Sequence, residues 1–308
     1  MADITITGVG GAHFDWVAHM SEAGLPGAST PGFVRSDVGG CCLNTLRVAA
    51  QLLPDADVAI VSARGGDEAG VSVEAAIEDA GLRDQSAVFL DRSTPTYTAI
   101  MDTAGDVVSA VADMALYETV LPRHLGRTEV RNTISASNVL VVDANLPTHG
   151  LEAALSHAPS TVVALAISAA KAERLLPVAA NIDLVFMNTR ELRALTGGED
   201  PIALNQFGFT RAVITDGDRP VRVLDAEGAI TAVNVPHAPS IVDVTGAGDA
   251  LAGGTIAAML KSPEKPLSNA VQLGVQAALR VVGTRGPVAP LDWDDLARQA
   301  FGHEHTHS

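Results

Sequence analysis

Basic side chains are scarce in this chain: Lys and Arg number 20 against 36 Asp and Glu, a formal net charge of -16 over 308 residues. That balance excludes a nucleic-acid groove and an anionic membrane surface as partners, so any phosphate ligand must be held locally. Cysteine is scarcer still. Cys41 and Cys42 are neighbours, a bridge between them would be strained, and no Cys/His pair has zinc spacing, so both read as small buried apolar residues. No apolar run approaches the ~20 residues of a membrane span. Met1-Ala2-Asp3 leads into a strand pattern without a basic leader, which predicts a soluble cytoplasmic chain. Neither GxxxxGK[ST] nor GxGxxG with a ribose-binding acid is present, so a P-loop and a dinucleotide fold are both unsupported. Internal repeats, low-complexity tracts and a linker dividing the core are also missing. The alternation His303, His305, His307 could bind a metal, but it reads as part of a frayed polar tail over 301–308.

What is present suits one large α/β domain: 47% of the residues are hydrophobic, ample for a sizeable core. Residues 4–9 alternate like a first strand, and 10–15 read as the loop at its end. Asp15 is thereby placed at a strand C-terminus, where open parallel sheets bind ligands; a turn-forming Asp is the plainer alternative. Gly39-Gly40-Cys41-Cys42-Leu43-Asn44 is a Gly-rich turn entering a helix, whose Leu46, Ala49, Ala50 and Leu53 keep the 3.6 period. Asn44 lies in its first turn, to cap it or to reach a ligand. Strands are predicted at 57–63, within 139–145, and at 161–166, 182–187 and 212–215, with a helix over 69–80 closed by Gly81. A β-hairpin over 94–111 interrupts the βα series. With an excursion near 24–38 it predicts a small antiparallel sheet, a lid over the strand ends, from segments of about 24–38 and 95–112.

The densest chemistry lies in Ile241-Val242-Asp243-Val244-Thr245-Gly246-Ala247-Gly248-Asp249. β-Branched residues around Asp243 predict a strand end, and a helix is predicted from Asp249. Gly246-Ala247-Gly248 is then a strand-to-helix turn, where glycine lets backbone approach a ligand and unpaired N–H groups of the helix start can hold phosphate. A carboxylate beside an anion site would serve to accept a hydroxyl proton during phosphoryl transfer; Asp249 as a capping residue is the bland alternative. Asn188 and Glu191, three apart at a helix entry, could share a metal-bound water or form a capping pair. Thr215-Asp216-Gly217-Asp218 ends another strand with a hydroxyl and backbone N–H groups.

In this order, Gly-Gly-x-x-x-Asn, Asn-x-x-Glu, Thr-x-Gly and Asp-x-Thr-Gly-Ala-Gly-Asp resemble the PfkB or ribokinase family of carbohydrate and nucleoside kinases, from Ile4 to about Leu291. The resemblance implies an α/β ribokinase-like three-layer sandwich with a mostly parallel central sheet and a β-sheet lid, one kinase domain over 1–300. It implies that Asp249 is the catalytic base and Gly246, Ala247 and Gly248 the anion hole. Asp15, Gly39, Gly40 and Asn44 would bind sugar hydroxyls, and Asn145 stands where ribokinases carry a glutamate. Asn188 and Glu191 would organise magnesium and the phosphates of ATP, and Thr215 and Gly217 would lie along the nucleotide phosphates. Residues 269–286 would pass the adenine. Asp243 and Thr245, with carbonyls in 281–286, would form a potassium site. Segments 97–105, 110–114 and 142–145 are similar to the pseudouridine kinases of that family. The implied reaction is ATP-dependent phosphorylation of a nucleoside 5′-hydroxyl, with Asn145 or Asp113 accepting from the base, and lid sheets pairing in a homodimer. A ribose, ketose or purine-nucleoside kinase, or a silent nucleoside- or sugar-binding protein keeping the fold, are the alternatives.

Overall fold

The computed structural model describes residues 4–24, 27–159 and 161–302. Its strands are β1 (Thr5–Val9), β2 (His13–Met20), β3 (Gly32–Gly39), β4 (Asp57–Val61), β5 (Ala63–Gly65), β6 (Arg83–Asp84), β7 (Ala87–Phe89), β8 (Thr96–Met101) and β9 (Val107–Asp113), followed by β10 (Val139–Asp143), β11 (Val162–Leu165), β12 (Leu184–Asn188), β13 (Ala212–Thr215), β14 (Val221–Leu224) and β15 (Ile230–Val233). Nine of them form one sheet in the order β15-β14-β13-β12-β11-β10-β1-β4-β6. It is parallel from β6 to β13, and an antiparallel hairpin, β14-β15, closes one edge. The central strands are continuous apolar runs, as in Val139-Leu140-Val141-Val142, because helices cover both faces.

One face carries Ile6, Val141 and Leu184 against the helices Cys41–Leu52, Ala247–Lys261 and Leu267–Val282; the other carries Leu140, Val142 and Val185 against Leu121, Ile134, Leu151 and Leu192. The result is the three-layer α/β arrangement expected. Small residues fix the helix on which the Gly-Ala-Gly motif lies. A Cβ on Gly253 would stand 2.5 Å from the Thr45 carbonyl oxygen, and one on Gly254 would stand 2.9 Å from Gly274 Cα. The Ala247–Lys261 helix therefore packs backbone to backbone between its neighbours, and its N-terminus has little freedom to move.

The lid exists and is larger than expected. A separate four-stranded sheet runs β3-β2-β8-β9, with β2 antiparallel to β3 and parallel to β8. The expected hairpin supplies β8 and β9, but the other half begins at His13. Residues 13–15 belong to a lid strand and not to a loop, and Asp15 lies inside β2. A run of half-buried residues along β2 conceals the alternation by which a strand is recognised. The strand expected near Asp243 is absent: no strand lies in 234–246, and Ile241, Val242 and Val244 are exposed. β-Branched composition alone does not make a strand without a sheet edge to pair with. Leu25 and Pro26 of the expected lid lie outside the described residues. Of the expected tail, Phe301 ends the helix Trp293–Phe301, and 303–308 lie outside the described residues. No helix is long and apolar enough to cross a membrane among the described residues.

Candidate functional site

Several chain segments meet where β1 and β10 end. Gly10-Gly11 leaves β1, the Cys41–Leu52 helix starts beside it, Asp143 closes β10, the Ala247–Lys261 helix points its N-terminus inward, and β2 brings Asp15 from the lid. Gly40 joins lid to helix with φ 114°, and a Cβ there would lie 2.3 Å from the Gly11 carbonyl oxygen. Only glycine fits that conformation and that approach. A Cβ on Gly39 would stand 2.2 Å from Asp15 Oδ2, so a larger residue there would displace the Asp15 carboxylate.

Asp143 ties the cluster together. Its Oδ2 accepts from Gly11 N at 2.8 Å and from Cys42 N at 3.3 Å, while Oδ1 accepts from Asn145 N at 2.9 Å. One fully buried carboxylate thus holds the ends of β1 and β10 and the start of a helix in one geometry. Asn145 is buried behind it; its Oδ1 accepts from Lys171 Nζ at 2.6 Å and its carbonyl from Arg174 Nη1 at 3.0 Å. Asn44 Nδ2 donates to Asp249 Oδ2 at 2.9 Å, and the Cys41 thiol also bonds to the Asp249 carboxylate. Cys42 is buried as expected, but Cys41 is half-buried and faces the site.

Among the described residues, no side chain caps the helix that carries Asp249. Gly246, its N-cap, has φ 77°, and a Cβ there would lie 2.4 Å from the Pro287 carbonyl oxygen. A Cβ on Gly248 would meet nothing within 4 Å, so the first turn opens onto free space. Such a turn is a ready anion site.

The acids are tuned toward neutrality. Burial, then Asp37 and Asp249, push Asp15 up to about 7. Burial raises Asp249 to about 6, while hydrogen bonds from Asn44 and Cys41 oppose the rise. Burial raises Glu191, with Asp249 adding to it, and lowers His13 to about 4 with help from Lys171. Carboxylates that titrate near neutral pH can take a proton and release it again, which is what general base chemistry requires. His13 Nδ1, Asp15 Oδ1 and Asn44 Oδ1 are buried without a hydrogen-bond partner among the described residues. His13 Nε2 comes within 3.4 Å of Asp15 Oδ1 but is misaligned for a hydrogen bond. Unpaired buried polar atoms are costly and mark where a polar ligand would repay them.

Toward β13, Asn188 and Glu191 form a full capping box: Asn188 Oδ1 accepts from Arg190 N and Glu191 N, and Asn188 N and Nδ2 each donate to Glu191 at 2.8 Å. Thr215 is register partner to Asn188. Gly217 follows in an exposed turn at φ 63°. Asp243 bridges two loops, accepting from Thr245 N at 2.9 Å and Gly286 N at 3.3 Å. No cluster of three metal-ligating His, Cys, Asp or Glu occurs among the described residues.

Asp15, Gly39, Gly40, Asn44, Asn145 and Asp249 are thus brought together. Asp113 is not: it is exposed at the end of β9, and its carboxylate accepts from Ala115 N at 3.3 Å. Sequence reasoning missed Asp143, His13, Lys171 and Tyr117, whose hydroxyl donates to the Ala12 carbonyl oxygen at 2.7 Å. A carboxylate ending an all-apolar strand was the one available signal, and it pointed to Asp143.

Residues 10–294 match the family described as pfkB family carbohydrate kinase. A carbohydrate kinase from Agrobacterium tumefaciens, of known structure, is 36% identical with a TM-score of 0.82, covering 96% of this chain and 97% of that one. The pseudouridine kinase of Escherichia coli (strain K12) is 25% identical over 257 residues, 80% of each chain. A ribokinase from Arabidopsis thaliana, solved with ribose and ATP, shares the fold at a TM-score of 0.81 and 17% identity, covering 98% of this chain and 99% of that one.

Proposed function

The chain belongs to the pfkB family of carbohydrate kinases, and from that premise we propose that it transfers the γ-phosphoryl group of ATP to the 5′-hydroxyl of a nucleoside, pseudouridine foremost. The observation that carries the reading is the Asp249 carboxylate: raised to about 6, held by Asn44 Nδ2 at 2.9 Å, and set in the first turn of an uncapped helix. The substrate's sugar hydroxyls pair with Asp15 Oδ1 and Asn44 Oδ1, the atoms left unpaired under the lid. The 5′-hydroxyl then faces Asp249. As its oxygen bonds to the γ-phosphorus and the bond to the ADP oxygen breaks, its proton passes to Asp249. The backbone N–H groups of Gly246 and Gly248 face the charge on the transferring group, while that of Ala247 is engaged by the Val244 carbonyl oxygen at 3.3 Å.

Magnesium is implied by such a reaction, and Asn188 and Glu191 fit it. Glu191 is 4% exposed, and among the described residues Asn188 alone donates to its carboxylate, which leaves lone pairs for a hydrated cation. Bound there, magnesium would neutralise phosphate oxygens. Asp243, already bridging Thr245 and Gly286, fits a monovalent cation that stiffens the Gly246 turn, with potassium the ion of choice. Support for pseudouridine comes from the relative in Escherichia coli.

The test is a coupled ADP-release assay with pseudouridine, uridine, adenosine and ribose. We expect kcat/KM for pseudouridine to exceed the others by at least about tenfold, the worth of one well-placed hydrogen bond of ~1.4 kcal/mol. Preference for ribose or adenosine would leave the kinase family standing and remove the pseudouridine reading.

A further inference from the structure

The site contains a cation that the phosphoryl-transfer chemistry does not use. Lys171 lies on the short helix Ala169–Ala172 that follows β11, and its ammonium donates to Asn145 Oδ1 at 2.6 Å. This is its one hydrogen bond among the described residues, which leaves two N–H groups free. Its charge reaches His13 and Asp143, the carboxylate that accepts from Gly11 N at the end of β1. Burial lowers its pKa, with Asp143 opposing and Arg174 assisting.

The backbone that delivers Lys171 is strained. Ile167 is the one non-glycine residue with positive φ among those described, at 68°. Ser168 N donates to the Ala166 carbonyl oxygen at 2.8 Å across it, which closes a three-residue γ-turn. A β-branched residue resists this conformation at a cost of about 1–3 kcal/mol, and such outliers persist where the surroundings need the geometry. Here the turn ends β11 abruptly and swings the next helix back so that Lys171 reaches Asn145. Arg174, one turn further on, grips the Asn145 carbonyl and pairs with Glu118 at 2.6 Å.

We propose that Lys171, oriented by Asn145 and by the γ-turn at Ile167, is a specificity determinant that donates to a carbonyl oxygen on the base of an uncharged nucleoside. This rests on the nucleoside-kinase reading above and deepens it. Asn145 is 2% exposed and its oxygen is already engaged, so it serves as the positioning residue and Lys171 makes the contact. Local charge favours a neutral ligand over an anionic one. Lys171 and Arg174 are matched by Asp143 and Glu118, and Asp15 and Asp249 stand near, so a sugar phosphate would meet no net positive field. The ammonium has only donors to offer, so the ligand atom must be an acceptor. A pyrimidine-2,4-dione base places a carbonyl acceptor beyond the sugar; free ribose has hydroxyl acceptors but no base to place one there.

The experiment compares Lys171→Met with the parent on pseudouridine, uridine, adenosine and ribose, reading kcat and KM separately, with nucleoside binding followed by calorimetry in the absence of nucleotide. The expected result is a fall of about tenfold or more in kcat/KM and in affinity for pseudouridine and uridine, carried by KM, with ribose unchanged within about twofold. Lys171→Arg, which restores donors, should recover part of the loss. A C-riboside bearing a plain phenyl ring should be at least about tenfold poorer than pseudouridine with the unaltered protein, a result that needs no variant. Equal losses on ribose and pseudouridine, or a phenyl riboside as good as pseudouridine, would overturn the inference and leave the nucleoside reading intact. An unaltered protein that prefers ribose to every nucleoside would overturn both.

Discussion

Asp249→Asn isolates the proposed base with little disturbance of shape. The amide oxygen can still accept from Asn44 Nδ2, which lies 2.9 Å from Oδ2, and the packing of Gly253 and Gly254 that seats the helix is untouched. What is lost is the capacity to take a proton. General base assistance contributes about 10² to 10⁴ in rate, so turnover should fall by roughly 10²-fold or more, about 2.7 kcal/mol of barrier, while nucleotide still binds. The pH profile carries a second signature. With Asp249 at about 6, each pH unit below that value should cut the ionised base, and kcat/KM with it, by about tenfold. The variant should lose the limb centred near 6 and keep only the one that Asp15, at about 7, contributes.

Stability should move the opposite way. Because the folded-state pKa is raised above 3.8, the native protein holds more protons than the unfolded chain between about pH 4 and 6, so stability falls as pH rises through that window. Above it, the ionised Asp249 destabilises the fold. Asp249→Asn removes that cost, so its melting temperature should match or exceed the parent's at pH 8, with the difference shrinking toward pH 4. Turnover within tenfold of the parent in a correctly melting variant would refute the assignment of the base.

Potassium should raise activity above sodium or a bulky organic cation at matched ionic strength, and Asp243→Ala, which frees the amides of Thr245 and Gly286, should abolish the difference; equal rates in all three salts would remove the cation site. A 2′-deoxy nucleoside should be poorer by at least about tenfold in kcat/KM, since one of the two acceptors, Asp15 Oδ1 or Asn44 Oδ1, would be left buried and unpaired. Gly40→Ala should destabilise by about 2 kcal/mol or more in urea, because a side chain at φ 114° also meets the Gly11 oxygen; an unchanged unfolding midpoint would show that the lid junction can yield.

What the sequence made legible, and what it concealed, divides by the range of the interactions. The central strands were legible because burial on both faces writes each as an apolar run. The Gly246-Ala247-Gly248-Asp249 turn was legible because its constraint is local: the φ of Gly246, the open first turn and the carboxylate all fall within four residues. Asp143 works instead through amides 132 and 101 positions away, at Gly11 and Cys42, and no local pattern records that. Lys171 was hidden for a related reason. On a four-residue stretch of alanines a single lysine reads as solvated surface, and the turn at Ile167 directs it inward.

Asn188 and Glu191 show why a bland reading and a functional one need not compete. The pair does form the capping box expected of a helix start. Yet capping fixes Asn188 by its own side-chain carbonyl oxygen and leaves Glu191 a buried carboxylate with donors from one residue only among those described, its pKa raised by burial and by Asp249. A cap needs no such burial. At the start of an exposed helix the same box would be fully hydrated; here, at the ends of β12 and β13, it holds an acid whose remaining lone pairs can be satisfied by a hydrated cation. The prediction is specific. Glu191→Gln keeps the acceptor oxygen for Asn188 N and should leave the melting temperature within a few degrees, yet it should raise the magnesium concentration needed for half-maximal activity severalfold. A variant that melts normally and shows an unchanged magnesium dependence would confine Glu191 to the cap.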